Sequence, residues 1–190
     1  MVSTDVIVTA GLAEVVAGAI AMGLGGYLAA RTDAEHYAAE ERREDYEITH
    51  LHEKEIGEVE TIFREYGLEG KALQDVVSSI TADRIRWVDF MMRFELGLER
   101  PDPKRAPISA ATIGGSYIVG GLIPLVPYML AHSITTALQI SVVATGLALL
   151  CFGAIKGHFT GTNRLKSALQ TLLVGGLAAG AAYWLAHLFS

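Results

Sequence analysis

The sequence predicts an all-α membrane protein, a polytopic helix bundle with a helical insert outside the membrane. Hydrophobic residues make up 51% of the 190-residue chain, and the mean hydropathy is +0.35. Of the 21 acidic residues, 19 lie between residues 31 and 106, which marks this region as the insert. Four apolar segments each approach the ~20 residues that a helix needs to cross the hydrocarbon core. The first, residues 6–30, precedes the insert. The other three are residues 107–130, 136–155 and 167–189, and together they form a region of three spans over residues 107–189.

The first span, residues 6–30, contains one acid deep inside, Glu14. A charged group at membrane depth costs roughly 2.5–3.5 kcal/mol on insertion scales, which favours a functional role over a structural acid bonded to a neighbouring helix. Gly18 and Met22 follow at steps of four, so a carboxylate and a thioether lie along neighbouring faces of this helix. Because the first 30 residues contain no lysine or arginine, we expect a retained span and not a secretory signal.

The insert is predicted to be helical, because it shows no strand alternation and has no proline before Pro101. Pro101, Pro103 and Pro107 are expected to end it. The predicted pieces are one long helix continuing out of the first span to about Tyr66, a break at Gly67, and helices over residues 70–80 and 82–97.

The basic residues predict the orientation of the spans. Twelve of the 15 lie between Arg31 and Arg105, and the other three are Lys156, Arg164 and Lys166. The positive-inside rule places both groups in the cytoplasm, with two crossings between them. The insert is therefore predicted to be cytoplasmic. Pro124 and Pro127 lie inside the second span, where a packing kink is expected.

Four glutamates of the insert fall on one stripe of the predicted long helix, inside an arc of about 60°. They are Glu44, Glu47, Glu55 and Glu58. Carboxylates this close repel one another unless a cation lies among them, which favours a site for metal ions or protons. The alternative is a solvated acidic face, which is common on helices.

A second group lies on the last helix of the insert, where Glu95 follows Met91 and Met92 by one turn. Carboxylate oxygen beside thioether sulfur suits a borderline ion such as ferrous iron better than magnesium or calcium. Without the glutamate stripe, the two methionines would be read as core residues.

Glu47 and His50 form a Glu-x-x-His pair, the spacing found in ferritin-like di-iron bundles. Such a site needs a second copy of the pair, and the sequence has one. A di-iron oxidase is therefore the third hypothesis for function.

Taken together, these segments resemble the vacuolar iron transporter family, whose members exchange ferrous or manganous ions for protons. The similar stretches are TAGLAEVVAGAIAMGLGGYLAARTDAEHY, DFMMRFELGLERPDPKRAP and GGLIPLVPYML. The resemblance implies a homodimer with the ion path between subunits, transport residues at Glu14 and Met22, and a cytoplasmic metal-binding domain. The residues that match this domain are Glu44, Glu47, Glu55, Glu58, Glu95, Met91 and Met92. Family members have five spans, the first with an aspartate important for transport, and this chain starts at what corresponds to the second.

The leading hypothesis is a proton-coupled exporter of ferrous iron from the cytosol, across a vacuolar membrane in a eukaryote or the cell membrane in a bacterium. The protein is expected to be no enzyme, to bind Fe²⁺, Mn²⁺ or Zn²⁺ as substrate, and to need no prosthetic group or nucleic acid. The main rival is a membrane-anchored metal buffer or sensor that does not transport.

Overall fold

The computed structural model describes residues 4–131 and 133–188, and within these ranges it contains helices and no strand. Four of the helices are long and apolar enough to cross a membrane: α1, α5, α6 and α7. This confirms the predicted all-α membrane fold class. In chain order the elements are α1 (Thr4–His50), α2 (His52–Glu65), α3 (Gly70–Thr81), α4 (Arg84–Phe90), a π-helical turn (Met91–Glu95), α5 (Arg105–Leu130), α6 (Ile134–Phe159) and α7 (Arg164–Leu188).

The chain divides into two compact units. The membrane unit contains the residues up to Gly23 together with those from Thr112 onward, and the insert unit contains Leu24–Ala111. Helices α1 and α5 each contribute residues to both units.

In the membrane unit, glycines bring α1 and α5 close together. A Cβ atom on Gly121 would lie 2.6 Å from Val15, and one on Gly114 would lie 3.1 Å from the carbonyl oxygen of Ala19. Small residues at such contacts let helix backbones approach closely. This is how helices associate in a membrane, where burial of apolar surface gives no advantage over contact with lipid.

Pro124 and Pro127 both lie inside α5. The Ser141 hydroxyl on α6 donates a hydrogen bond to the carbonyl oxygen of Pro124 at 2.8 Å.

Helices α6 and α7 pack as an antiparallel hairpin in the same way. A Cβ atom on Gly153 would lie 2.6 Å from the Cα atom of Ala168, and one on Gly157 would lie 2.8 Å from Ser167. Toward the other end of the pair, a Cβ atom on Gly175 would lie 2.6 Å from Leu149. The helix backbones therefore approach closely near the α6–α7 turn, and toward the other end a leucine side chain packs on glycine.

The insert unit has its own hydrophobic core. Trp87, Met91 and Met92 are almost fully buried in it, at 1%, 0% and 1% exposure. The other buried members of the core come from each of its helices: Tyr37, Ile48, Val59, Leu73, Val77, Val88 and Phe90. This packing, and not helix propensity alone, holds short helices such as α4 in place.

Two predictions about the insert need correction. The predicted long helix to Tyr66 is wrong, because the helix ends at His50 and restarts at His52 after a break at Leu51. The predicted helix over residues 82–97 is shorter and changes to π-helical geometry at Met91. The break at Gly67 and the helix starting at Gly70 are confirmed, and Gly67, Gly70 and Gly97 all have positive φ angles, which glycine adopts without strain.

Candidate metal centre

Glu44 and Glu55 meet because the helix breaks at Leu51. The backbone of Leu51 has φ −123° and ψ 34°, outside the α-helical region. In a continuous helix, the Cα atoms of two residues eleven positions apart would be about 16.5 Å from each other. In the structure a carboxylate oxygen of Glu44 lies within 4.8 Å of one from Glu55. The predicted stripe on a single helix is therefore wrong in its geometry, and the two glutamates belong to separate helices.

The third carboxylate of this centre is Glu95, at the last position of the π-helical turn. Carboxylate oxygens of Glu44, Glu55 and Glu95 all lie within 4.8 Å of one another. The π-helix shifts the register by about one residue relative to an α-helix, and such segments are frequent at functional sites. Glu44 and Glu55 are buried, at 1% and 0% exposure, whereas Glu95 is open to solvent. The centre thus has an enclosed side and an accessible side.

Two oxygens of this centre have no partner. Oε2 of Glu44 and Oε2 of Glu55 are buried and accept no hydrogen bond. Their other oxygens face cations, since Arg43 lies 3.2 Å from Glu44 Oε1 and Lys54 lies 3.5 Å from Glu55 Oε1. Leaving a buried carboxylate oxygen without a partner is costly, which points to an occupant between these side chains. A divalent cation among the three carboxylates would satisfy both oxygens.

Glu47 and Glu58 lie beside this centre and are not among the three mutually close carboxylates. Both are partly buried and paired: Glu47 lies 3.6 Å from Arg43 and Glu58 lies 2.8 Å from Lys54. Their negative charges nevertheless act on the centre. Glu47 raises the pKa of Glu44, and Glu58 raises the pKa values of Glu44, Glu55 and Glu95. The five predicted glutamates therefore form one electrostatic cluster with three inner members.

Burial and mutual repulsion raise the pKa values of the inner carboxylates. The pKa of Glu55 is raised to about 7, by burial first and then by Glu58 and Glu44. Although Glu95 as a whole is exposed, partial desolvation of its carboxyl group, followed by Glu44 and Glu58, raises its pKa to about 7. Burial also raises the pKa of Glu44, against the hydrogen bond from Arg43. Near neutral pH the centre therefore exchanges protons readily, and a cation that binds there displaces them.

These shifts predict opposite pH dependences for stability and for metal binding. Glu55 and Glu95 hold protons in the folded unit between pH 4.5 and about 7 that the unfolded chain has released, so the stability of the metal-free insert unit should fall as pH rises through this window. Metal affinity should rise over the same window, because the ligands must lose their protons. Thermal unfolding followed by Trp87 fluorescence, in a Trp184→Phe chain, measures the stability. Calorimetry of Mn²⁺ binding measures the metal affinity. An affinity that stays constant between about pH 5.5 and 7.5 would contradict the raised pKa values of Glu55 and Glu95.

The remaining predicted residues of the insert are placed differently. Met91 and Met92 start the π-helical turn that ends in Glu95, and both lie in the core. His50 stacks on Tyr46 at 3.9 Å between ring centroids, and its Nδ1 lies 2.8 Å from the Tyr46 carbonyl oxygen. Among the described residues, no histidine belongs to the group formed by the three carboxylates. The structure therefore gives the di-iron hypothesis no support.

Glu14 and Met22 lie on α1 in the membrane unit, and both are exposed there. The carboxylate of Glu14 accepts a hydrogen bond from the Tyr117 hydroxyl on α5 at 2.5 Å. Gly18, one turn from Glu14, leaves the space that the Tyr117 ring fills, since any Cβ at this position would overlap the ring. Glu14 therefore has a fixed partner on a neighbouring helix and an open side.

Comparison with known proteins identifies the family. Residues 1–187 match the family described as the VIT family. The chain belongs to the VIT family. It is 52% identical over 184 residues to Vacuolar iron transporter 1 of Arabidopsis thaliana, covering 97% of this chain and 74% of that protein. Vacuolar iron transporter 1 of Oryza sativa subsp. japonica is also 52% identical, over 183 residues and 96% and 73% of the two chains.

A more distant relative is Protein CCC1 of Saccharomyces cerevisiae, 36% identical over 193 residues that cover 96% of this chain and 59% of the yeast protein. The family predicted from the sequence is thus confirmed. The plant relatives are named as transporters and not as enzymes, which agrees with the expectation of a non-enzymatic protein.

Three residues of these two candidate sites were not predicted from the sequence. Arg43 and Lys54 neutralise part of the glutamate cluster, and the spacing of four to Glu47 and Glu58 was a readable signal for both. Tyr117 had no such signal, because 103 residues separate it from Glu14.

Replacing Lys54 with methionine should strengthen metal binding. Methionine keeps the length of the side chain but removes the cation that faces Glu55 and Glu58. A bound metal would no longer compete with it, and Mn²⁺ affinity should rise roughly two- to fivefold, the range expected for one partly exposed ion pair. Calorimetry compares the Mn²⁺ affinity of Lys54→Met with that of Lys71→Met, a control at an exposed position. An unchanged or weaker affinity in Lys54→Met would show that Lys54 does not compete with metal.

Proposed function

We propose that this protein exports ferrous or manganous ions from the cytosol in exchange for protons. The observation that carries the proposal is the inner glutamate centre, in which two buried carboxylates each keep one unpartnered oxygen beside a third carboxylate. Membership of the VIT family, with plant relatives named as vacuolar iron transporters, supports iron as the transported ion.

The first step is capture of the ion by the insert unit. Glu44, Glu55 and Glu95 supply the inner ligands, and Glu47 and Glu58 add negative charge around them. Because the pKa values of Glu55 and Glu95 are raised to about 7, binding releases protons and release of the ion takes them up. The open side at Glu95 gives the ion a way in. We propose that this unit faces the cytosol, as the distribution of basic residues predicts.

Met91 and Met92 are proposed to add selectivity for softer ions. They share the π-helical turn with Glu95, and thioether sulfur favours transition ions over magnesium. The double substitution Met91→Leu with Met92→Leu nearly conserves side-chain volume, so it should cost roughly less than 1.5 kcal/mol of stability per site. We expect calorimetry to show a larger loss of affinity for Fe²⁺ than for Mg²⁺. An equal loss for both ions would assign the methionines to packing.

The second step takes place in the membrane unit at Glu14 and Met22. These side chains lie eight residues apart on α1, or about 12 Å along the helix, so one ion would meet them in succession. Glu14 is proposed to exchange its proton for the ion, with the Tyr117 hydroxyl holding the carboxylate in place. Both residues are exposed on α1, which supports the proposal that a second subunit completes the path in a homodimer.

Reconstitution into liposomes tests the transport proposal. Proteoliposomes that contain the protein, together with any span encoded before Met1, should take up Fe²⁺ under an imposed pH gradient, whereas empty liposomes should not. If this protein binds Fe²⁺ in detergent but moves none across the bilayer, it is a membrane-anchored buffer or sensor and the transport proposal is wrong.

A further inference from the structure

The turn between α6 and α7 carries a cluster of cations with no acid to neutralise it. Lys156, Arg164 and Lys166 are exposed, and the sequence contains no aspartate or glutamate after Asp102. None of the three forms an ion pair within residues 4–131 and 133–188. The guanidinium of Arg164 lies 2.9 Å from Nδ1 of His158, which adds no negative charge. The cluster therefore lacks a counter-anion among the described parts of the chain.

An apolar groove of about 570 Å³ runs along α6 and α7 beside this cluster. Its walls include Phe152 and Val174, which are 64% and 65% exposed, and its polar side chains are Lys156, Gln170 and Thr171. On helices that cross a membrane, such exposed apolar walls face lipid. The two helices approach closely beside the groove, because Gly153 faces the backbone of Ala168 and Gly175 faces the Leu149 side chain.

The polar residues lie at the end of the groove nearest the α6–α7 turn. Lys156 follows Phe152 by four residues on α6, and on α7 the sequence Lys166, Gln170, Val174 rises by steps of four on one face. Arg164 belongs to the same end, since a Cβ atom on Gly157 would lie 3.0 Å from its Cα atom. Lys156 thus lines the groove itself, while Arg164 and Lys166 lie in the first turn of α7 at the same end of the helix pair.

We propose that this groove binds one anionic phospholipid, with the phosphate among Lys156, Arg164 and Lys166 and an acyl chain along the groove. Charge complementarity selects the occupant, because a zwitterionic phospholipid brings its own cation beside the phosphate and leaves the three cations without a net negative charge. Orientation of the spans requires basic residues near the surface, but it does not require a groove beneath them. Basic pockets between membrane helices are known to bind anionic headgroups in this way.

Native mass spectrometry of the full chain in detergent tests the proposal, with dioleoyl phosphatidylglycerol and dioleoyl phosphatidylcholine as probes that share acyl chains. Three cations near the surface predict a preference for the anionic lipid on the order of 100-fold. The variant Lys156→Gln, Arg164→Gln, Lys166→Gln should lose the preference. The matched control Arg42→Gln, Lys71→Gln, Arg93→Gln removes three exposed charges from the insert unit and should keep it.

The variant Val174→Trp fills the groove, keeps the cations, and should weaken binding of the anionic lipid. Equal binding of the two lipids by the wild-type chain would overturn the proposal, and so would equal losses in the two triple variants. If glycerol phosphate displaces the bound anionic lipid as effectively as free lipid does, the site binds anions without using the groove, and the proposal of a lipid site is wrong. The wild-type chain gives a test independent of variant folding, since a preference that persists in roughly 1 M salt would also contradict a charge-selected site.

Discussion

Replacing Glu14 with glutamine should abolish Fe²⁺ uptake driven by a pH gradient in proteoliposomes. Glutamine keeps the shape of the side chain and can still accept a hydrogen bond from Tyr117, but it can neither release a proton nor carry charge. If exchange at this group couples the two flows, transport should fall to the level of empty liposomes. Metal binding by the insert unit should remain unchanged, because its ligands belong to a separate unit of the chain.

A matched control for this variant is Asp5→Asn, because Asp5 and Glu14 are the acids that the sequence places outside the insert. The control removes a carboxylate from the same helix and should transport normally. Undiminished uptake by Glu14→Gln would show that Glu14 is a structural acid whose task is its bond to Tyr117.

The triple substitution Glu44→Gln, Glu55→Gln, Glu95→Gln should remove metal binding by the insert unit. Loss of outer partners alone weakens metal sites roughly 10–100-fold, so loss of three inner ligands should exceed that range. The same change should leave the metal-free unit as stable as before, or more stable, because it removes repulsion among three close carboxylates, two of them buried. Calorimetry with Mn²⁺ and thermal unfolding measure the two effects.

The control for the triple variant is Glu53→Gln, Glu65→Gln, Glu69→Gln, which removes the same charge from exposed positions of the insert unit. It should bind Mn²⁺ nearly as well as the wild-type chain. Equal losses in the two variants would mean that general negative charge, and no defined centre, attracts the metal.

Hydropathy and charge patterning predicted the membrane-capable helices well, because length and composition decide whether a helix can cross lipid. Residue type and spacing also selected the glutamates of the centre.

The predicted placement of these glutamates on one continuous helix was wrong for a physical reason. Glu44 and Glu55 share a face of an ideal helix, so periodicity placed them on one stripe, whereas the break at Leu51 joins them across two helices. Leu51 is neither glycine nor proline and gives no local signal for a break.

Contacts between distant segments were also outside the reach of the sequence. The π-helical turn that carries Glu95 begins with two methionines buried in the core, and the hydrogen bond between Tyr117 and Glu14 joins side chains of α1 and α5. Neither depends on a periodic pattern. Such features are typical of functional sites, where local rules are overridden by packing.

The most direct test of proton-coupled transport is simultaneous measurement of metal and proton movement in proteoliposomes under a clamped membrane potential. If metal and proton exchange, Fe²⁺ added outside causes protons to leave the lumen in proportion to the ion taken up, and dissipating the pH gradient slows uptake to the rate that the Fe²⁺ gradient alone drives. Fe²⁺ uptake at the same rate with and without a pH gradient, with no proton movement, would contradict it.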